Sequence, residues 1–182
     1  MANENWCMIG YHSVSVLADA VAKGLPLDKE EVLKAMVSSS TIPYLDGTGE
    51  YMEKGYVALD HNGSAASLTL EYAYDDWTIY HTALLAGNRS VADIYKKRAA
   101  NYTNVFDTNI GYARPRYADG RWKENFNLLS THGEGFIEGN ALNYSFYVPQ
   151  DVNNMIRLMG GDKSFVSKLD SLFTMHLPAE FF

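Results

Sequence analysis

A single cysteine, Cys7, stands among 182 residues, which excludes an intrachain disulfide and leaves the redox compartment unread. No apolar run approaches the ~20 residues that span a bilayer, and the opening MANENW lacks the basic and apolar regions of a secretory leader. The expectation is a soluble chain that carries no address of its own. Positive charge is scarce: 15 Lys and Arg face 22 Asp and Glu, for a net charge of −7, and only Lys96-Lys97-Arg98 forms a cluster. That balance argues against a nucleic-acid partner. Catalytic signatures are thin as well. There is no G-x-S-x-G elbow, and Gly47-Thr48-Gly49 and Gly133-Glu134-Gly135 lack the further glycines of a dinucleotide fingerprint. His12, His61, His81, His132 and His176 stand apart without an HExxH pairing, so no metal site can be read from the residues alone.

What is present suits one globular unit with a core: 47% of the residues are hydrophobic and 20% charged. The 13 tyrosines and 3 tryptophans are rings of the kind that stack on sugar faces, although for any single tyrosine a helix interface is the ordinary reading. Val14, Leu17, Ala18 and Val21 recur at helical spacing within Gly10 to Lys23, with Gly24 as a stop. Asp28-Lys29-Glu30-Glu31 reads as a capping box that opens a second helix through Val32, Leu33, Met36 and Val37. Thr41 to Gly63, rich in glycine and tyrosine, reads as a long ordered loop. Ser67 to Ala86 is the longest helix, apolar on two stripes and therefore buried on two sides.

Ser90 to Asp93 then caps a helix that carries Ile94, Tyr95, Ala99 and Tyr102 inward and Lys96, Lys97 and Arg98 mostly outward. A short β-excursion follows near residues 112–122, turned at Asp119-Gly120. Pro149 and Asp151 restart a helix closed by Gly160-Gly161, and Phe165, Leu169, Leu172 and Phe173 mark the last one. About six or seven helices in sequential hairpins make an all-α array.

The stretch that promises chemistry runs from His132 to Val152, HGEGFIEGNALNYSFYVPQDV. It sets Glu138 beside a Gly139-Asn140 break and leads into Tyr144, Phe146 and Tyr147. On those residues alone Asn140 caps a helix and Glu138 is a solvated acid. The functional alternative is a carboxyl held against aromatic and amide groups, whose burial raises its pKa enough to protonate a leaving sugar oxygen.

CMIGYHSVSVLADAVAKG (Cys7 to Gly24), LTLEYAYDDWTI (Leu68 to Ile79), EGNALNYSFYVPQDV (Glu138 to Val152) and LMGGDKSFVSKLDSLF (Leu158 to Phe173) together resemble glycoside hydrolase family 92, the calcium-dependent exo-acting α-mannosidases. The resemblance implies that Glu138, in the place of the acid of the family's EGNAWQY-like motif, is the general acid of an inverting mannosidase. Asn140, Asn143 and Tyr144 would then contact the mannose-containing glycan. Leu142 and Asn143 depart from the Trp and Gln usual there. The implied fold is about half of an (α/α)6 toroid of about twelve helices.

The family's β-sandwich domain and WDTFR-like motif upstream have no counterpart here. Nor do the C-terminal helices, the HGNEPSHH-like stretch that helps bind calcium and sugar, and the Asp pair that serves as base. The calcium site would accordingly be incomplete in this chain, and Asp75-Asp76 reads as a structural pair in buried hydrogen bonds. Secretion, a periplasm or a cell surface is the implied location, and exposed toroid flanks would favour self-association. The reading set against all this is a non-catalytic helical-hairpin module that binds carbohydrate or a protein partner.

Overall fold

The computed structural model describes residues 8–131 and 133–176, so Cys7, His132 and the two ends lie outside the account that follows. The chain order is α1 Ser13–Ala22, α2 Lys29–Ser39, α3 Thr48–Lys54, α4 Ala65–Leu85, α5 Arg89–Arg98, a 3-10 turn Asn101–Val105, β1 Phe106–Asp107, β2 Tyr112–Ala113, α6 Ala141–Tyr144, α7 Val152–Leu158 and α8 Asp162–Thr174. A helical array with one small sheet is the expected class. Among the described residues no helix is long and apolar enough to cross a membrane.

α4 is the axis. One side of it, through Ala65, Leu68, Tyr72, Ile79 and Ala83, packs with Tyr11, Val14, Leu33, Met36, Tyr51 and Tyr95 from the flanking helices. The other side, through Ala66, Leu70 and Ala73, packs with Tyr102, Phe106, Phe136, Ala141 and Met155. Its two apolar stripes thus feed two separate cores. Each buried Leu or Tyr contributes roughly 1.5–3 kcal/mol of transfer free energy, which makes this burial the main drive for the hairpins to wrap α4.

Three expectations need correction. Thr41 to Gly63 contains α3, a helix of seven residues that periodicity cannot register, bounded by Gly47 and Gly55 in left-handed conformation. α5 is capped by Asn88, whose side chain accepts from the Val91 N–H; Ser90 is already helical and its hydroxyl donates to Asn88. On the same helix Ile94 faces solvent and Arg98 turns inward. The β-excursion forms as expected: an antiparallel ladder pairs Phe106 with Ala113 and Asp107 with Tyr112, and the Asp119-Gly120 turn is closed by an isolated bridge between Arg116 and Trp122.

Asp76 explains Arg98. Its carboxylate is fully buried and accepts from Tyr11 Oη at 2.7 Å, Tyr51 Oη at 2.9 Å and Arg98 Nε at 2.9 Å. Arg98 also donates to the Ser40 carbonyl at 3.1 Å, so the end of α2, α3, α5 and the approach to α1 all meet on one side chain of α4. Removing one partner of a buried pair strands the other charge. Arg98→Met alone is expected to cost about 3–5 kcal/mol in urea unfolding, and Arg98→Met with Asp76→Leu to recover much of that loss. A single-variant loss under about 1 kcal/mol would mean that the pair does not hold the helices together.

Candidate functional site

The sequence-predicted residues gather at the turn into α6, with unequal fates. Asn140 caps that helix: its side chain accepts from the N–H groups of Leu142 at 3.0 Å and Asn143 at 3.4 Å, and Asn143 Oδ1 accepts in return from the Asn140 N–H at 2.8 Å. Both amides are therefore engaged by the backbone of a four-residue helix. The capping function read from E-G-N is what Asn140 performs.

Glu138 is different. Its backbone sits at φ 51°, in the left-handed region that costs a non-glycine residue roughly 1–2 kcal/mol. Its side chain is exposed and lines a small cavity of about 60 Å³ together with Met8, Ile9, His12, Glu71, Ile137 and Tyr144. The burial anticipated for this acid is not supplied by the described residues. Of the aromatics anticipated beside it, Tyr144 shares the cavity, whereas Phe146 turns to Phe165 with ring centres 5.7 Å apart.

The loop that carries Glu138 is pinned from both ends. At the start of α4, where unpaired N–H groups point outward, Ala66 and Ser67 donate to the Gly135 carbonyl at 2.9 and 3.2 Å, and Ser67 Oγ accepts from the Ile137 N–H at 3.2 Å. Gly135 must be glycine: a Cβ there would lie 2.0 Å from Pro115 Cγ. After Glu138 the chain presses against α6, and a Cβ on Gly139 would come within 3.1 Å of the Tyr144 ring.

Behind the cavity stands a cluster that sequence reasoning missed. His12 Nδ1 lies 2.7 Å from Asp75 Oδ1 and its Nε2 lies 3.0 Å from Glu71 Oε2. An imidazole that faces a carboxylate at each nitrogen donates from both and is an imidazolium. Burial works against that charge, but the hydrogen bonds to Asp75 and Glu71 outweigh it and push His12 up to about 10. Asp75, fully buried, is pushed up to about 6 by desolvation, held back by His12 and by the Tyr11 N–H that donates to it at 2.8 Å. Glu71 Oε1 accepts from Tyr144 Oη at 2.7 Å, and the Tyr147 hydroxyl also bonds to Glu71. Both phenols are driven well above their ordinary value, by burial first and then by the Glu71 charge. One signal was available: Glu71 and Asp75 stand one helical turn apart in LEYAYDD and so face the same side.

This arrangement presents one exposed carboxyl over a wall of fully engaged polar groups. Asp75 and Asp76 have no solvent exposure and are hydrogen-bonded within the protein, so neither is placed to activate a water. For calcium the donors do not fit. Asn140 and Asn143 spend their oxygens on the capping box, and among the described residues no group of three His, Cys, Asp or Glu is arranged to hold a metal. Tyr11, Tyr51, Tyr72 and Tyr102 are fully buried interface residues and cannot meet a sugar.

The charged His12 makes stability depend on pH. Because its folded value lies above the ordinary ~6.5, its contribution is complete below about pH 6.5 and is lost as pH climbs through about 10. Asp75, also raised, loses stability with rising pH in the same sense, but that loss is already complete by about pH 7. Thermal melts of wild type and His12→Gln at about pH 7 and pH 10 should show the wild-type advantage shrinking with pH; parallel slopes would mean that His12 is neutral.

Residues 1–180 match the glycosyl hydrolase family 92 catalytic domain. A family 92 α-mannosidase from Bacteroides thetaiotaomicron superposes with a TM-score of 0.91 at 39% identity, over 97% of this chain and 24% of its own. The same enzyme in complex with mannoimidazole superposes with a TM-score of 0.92 at 38% identity, over the same shares. A family 92 inverting mannosidase from strain VPI-5482 of that species gives 0.88 at 33%, over 96% of this chain and 25% of its own. An uncharacterized secreted glycosidase of Arthroderma benhamiae is 26% identical over 202 residues, 90% of this chain and 26% of its own. The chain thus spans about a quarter of the length of these relatives. Matched along nearly its whole length and sharing their helical arrangement, it belongs to glycosyl hydrolase family 92.

Proposed function

We propose that this chain is the acid-bearing segment of an exo-acting, inverting α-mannosidase that removes terminal mannose from glycans, with Glu138 as the general acid. The observation that carries the reading is a carboxyl held on left-handed backbone at the mouth of a cavity, within the motif where the family resemblance puts the acid. Strain of this kind persists only where the surroundings over-determine it, and it concentrates at functional sites. The relative solved with mannoimidazole supports a mannose-recognising site, and the relative described as inverting supports that stereochemistry.

In such a site Glu138 lends its proton to the departing glycosidic oxygen while water attacks from the opposite face, activated by a base roughly 6.5–9.5 Å away. Asn140 and Asn143 fix the turn that aims Glu138, and Tyr144 walls the sugar side. The base, the calcium ligands, the β-sandwich and the remaining helices belong to parts of the relatives that this chain does not span. Calcium, when bound there, would polarise and distort the sugar. The secreted relative supports a place of action outside the cytoplasm.

Two measurements test the reading. In the full-length protein, Glu138→Gln should slow an unactivated dimannoside by ~10²–10⁴-fold and an activated aryl α-mannoside far less, because only the first needs a proton on its leaving oxygen. Equal losses would turn Glu138 into a binding or structural residue, as the non-catalytic carbohydrate-binding module requires. The isolated chain, for its part, should release no aryl mannose with or without calcium. It should also self-associate in light scattering, since α8 buries no residue and Phe173, Val166, Leu84 and Leu85 stand open. Chelator-sensitive turnover by the chain alone would relocate base and metal inside it.

A further inference from the structure

Glu71 has no part in the chemistry just described, yet it is buried and spends its two oxygens on two separate pieces of chain. Oε2 meets the His12 imidazolium ahead of α1, and Oε1 takes the Tyr144 hydroxyl at the end of α6. The Tyr147 hydroxyl beyond that helix bonds to it as well.

Its reach extends to Glu138 through one ring. Gly139 rests against the Tyr144 ring and the Asn143 amide: a Cβ on it would lie 3.1 Å from the ring and 3.0 Å from the amide, close enough that these neighbours would have to give way. The residue before Gly139 holds a backbone conformation it would leave if unsupported. Support on one side comes from Ser67, which accepts the Ile137 N–H, and on the other from the Tyr144 ring, whose hydroxyl Glu71 anchors.

We propose that Glu71 is the positioning residue of the general acid: by tying the Tyr144 hydroxyl to the carboxylate that also meets the His12 imidazolium, it holds the Gly139 backbone, and with it Glu138, in the strained conformation it shows at the cavity. The inference rests on Glu138 being the acid, and it adds a residue and a route by which α4 controls it. Glu71→Gln is a near-isosteric break. It offers one acceptor oxygen in place of two and turns an N–H toward the His12 N–H.

The experiment uses the full-length protein and a double-mutant cycle with two substrates, an unactivated dimannoside and an activated aryl α-mannoside. If Glu71 acts through Glu138, Glu71→Gln slows the dimannoside about 10–100-fold, the order of loss that a misplaced catalytic group brings, and the aryl substrate less than about threefold. The double variant Glu71→Gln, Glu138→Gln is then no more than about twofold slower than Glu138→Gln alone. Equal slowing of both substrates, adding to the Glu138→Gln loss, would make Glu71 a structural residue and overturn the proposal while the acid reading stands. If Glu138→Gln itself fails to discriminate the substrates, the acid reading falls and the positioning proposal with it.

Tyr144→Phe keeps the ring and drops the hydroxyl, and it decides the matter if Glu71→Gln does not fold. A dimannoside-selective loss that vanishes in the Glu138→Gln background supports the clamp. Wild-type rates on both substrates, or equal losses on both, refute it.

Discussion

Two neighbouring carboxylates taken wholly out of water set the terms for everything around them. Asp75 and Asp76 lie in the middle of α4 with no exposure, and consecutive helical positions point about 100° apart. Each must therefore find its own partners, because an unmet buried charge costs several kcal/mol. Asp76 draws in Arg98, Tyr11 and Tyr51, while Asp75 draws in His12 and the Tyr11 N–H. Tyr11 serves both, with its backbone on one carboxylate and its hydroxyl on the other. The start of α1 is thereby fixed in position and rotation against α4. Around the same centre, the Tyr11 and Tyr72 rings stack 5.0 Å apart and Arg98 lies over the Tyr95 ring at 4.8 Å. The apolar cores press the helices together, and this polar centre selects which arrangement they adopt.

The candidate site inherits that order, since Glu71 sits one turn before Asp75 and shares His12 with it. A rigid frame ends at the cavity, and the group with chemical promise is the exposed one. Glu138 is held by what grips its neighbours, Ile137 through Ser67 and Gly139 through Tyr144, so its own carboxyl stays uncommitted. Asn140 and Asn143 show the opposite economy. Their side chains close a capping box, and so they shape the turn.

Local rules carried the sequence reading wherever a residue's neighbours in the chain are also its neighbours in space. α2 is capped by Asp28, whose side chain accepts from the Glu30 and Glu31 N–H groups as the spacing required. The two apolar stripes of α4 meant burial on two sides, and Asp75 and Asp76 lie in buried hydrogen bonds as the structural reading held. The short α3 escaped because seven residues give too little periodicity, and its ends are set by left-handed glycines that a loop uses equally well.

The sequence by itself thus determined the helical class, the central place of α4, the capping duty of Asn140 and, through motifs in family order, the family. The first three rest on spacing within single segments, and the family on four stretches that resemble its motifs. Tertiary structure alone decided that Arg98 turns inward to Asp76, that His12 is charged between Glu71 and Asp75, and that Glu138 is exposed on strained backbone. The first two outcomes depend on partners 22 and 63 residues away, and the third on a contact across 70 residues. A side chain's direction and protonation follow from the burial and charge that distant segments bring to it, and no local pattern encodes that meeting.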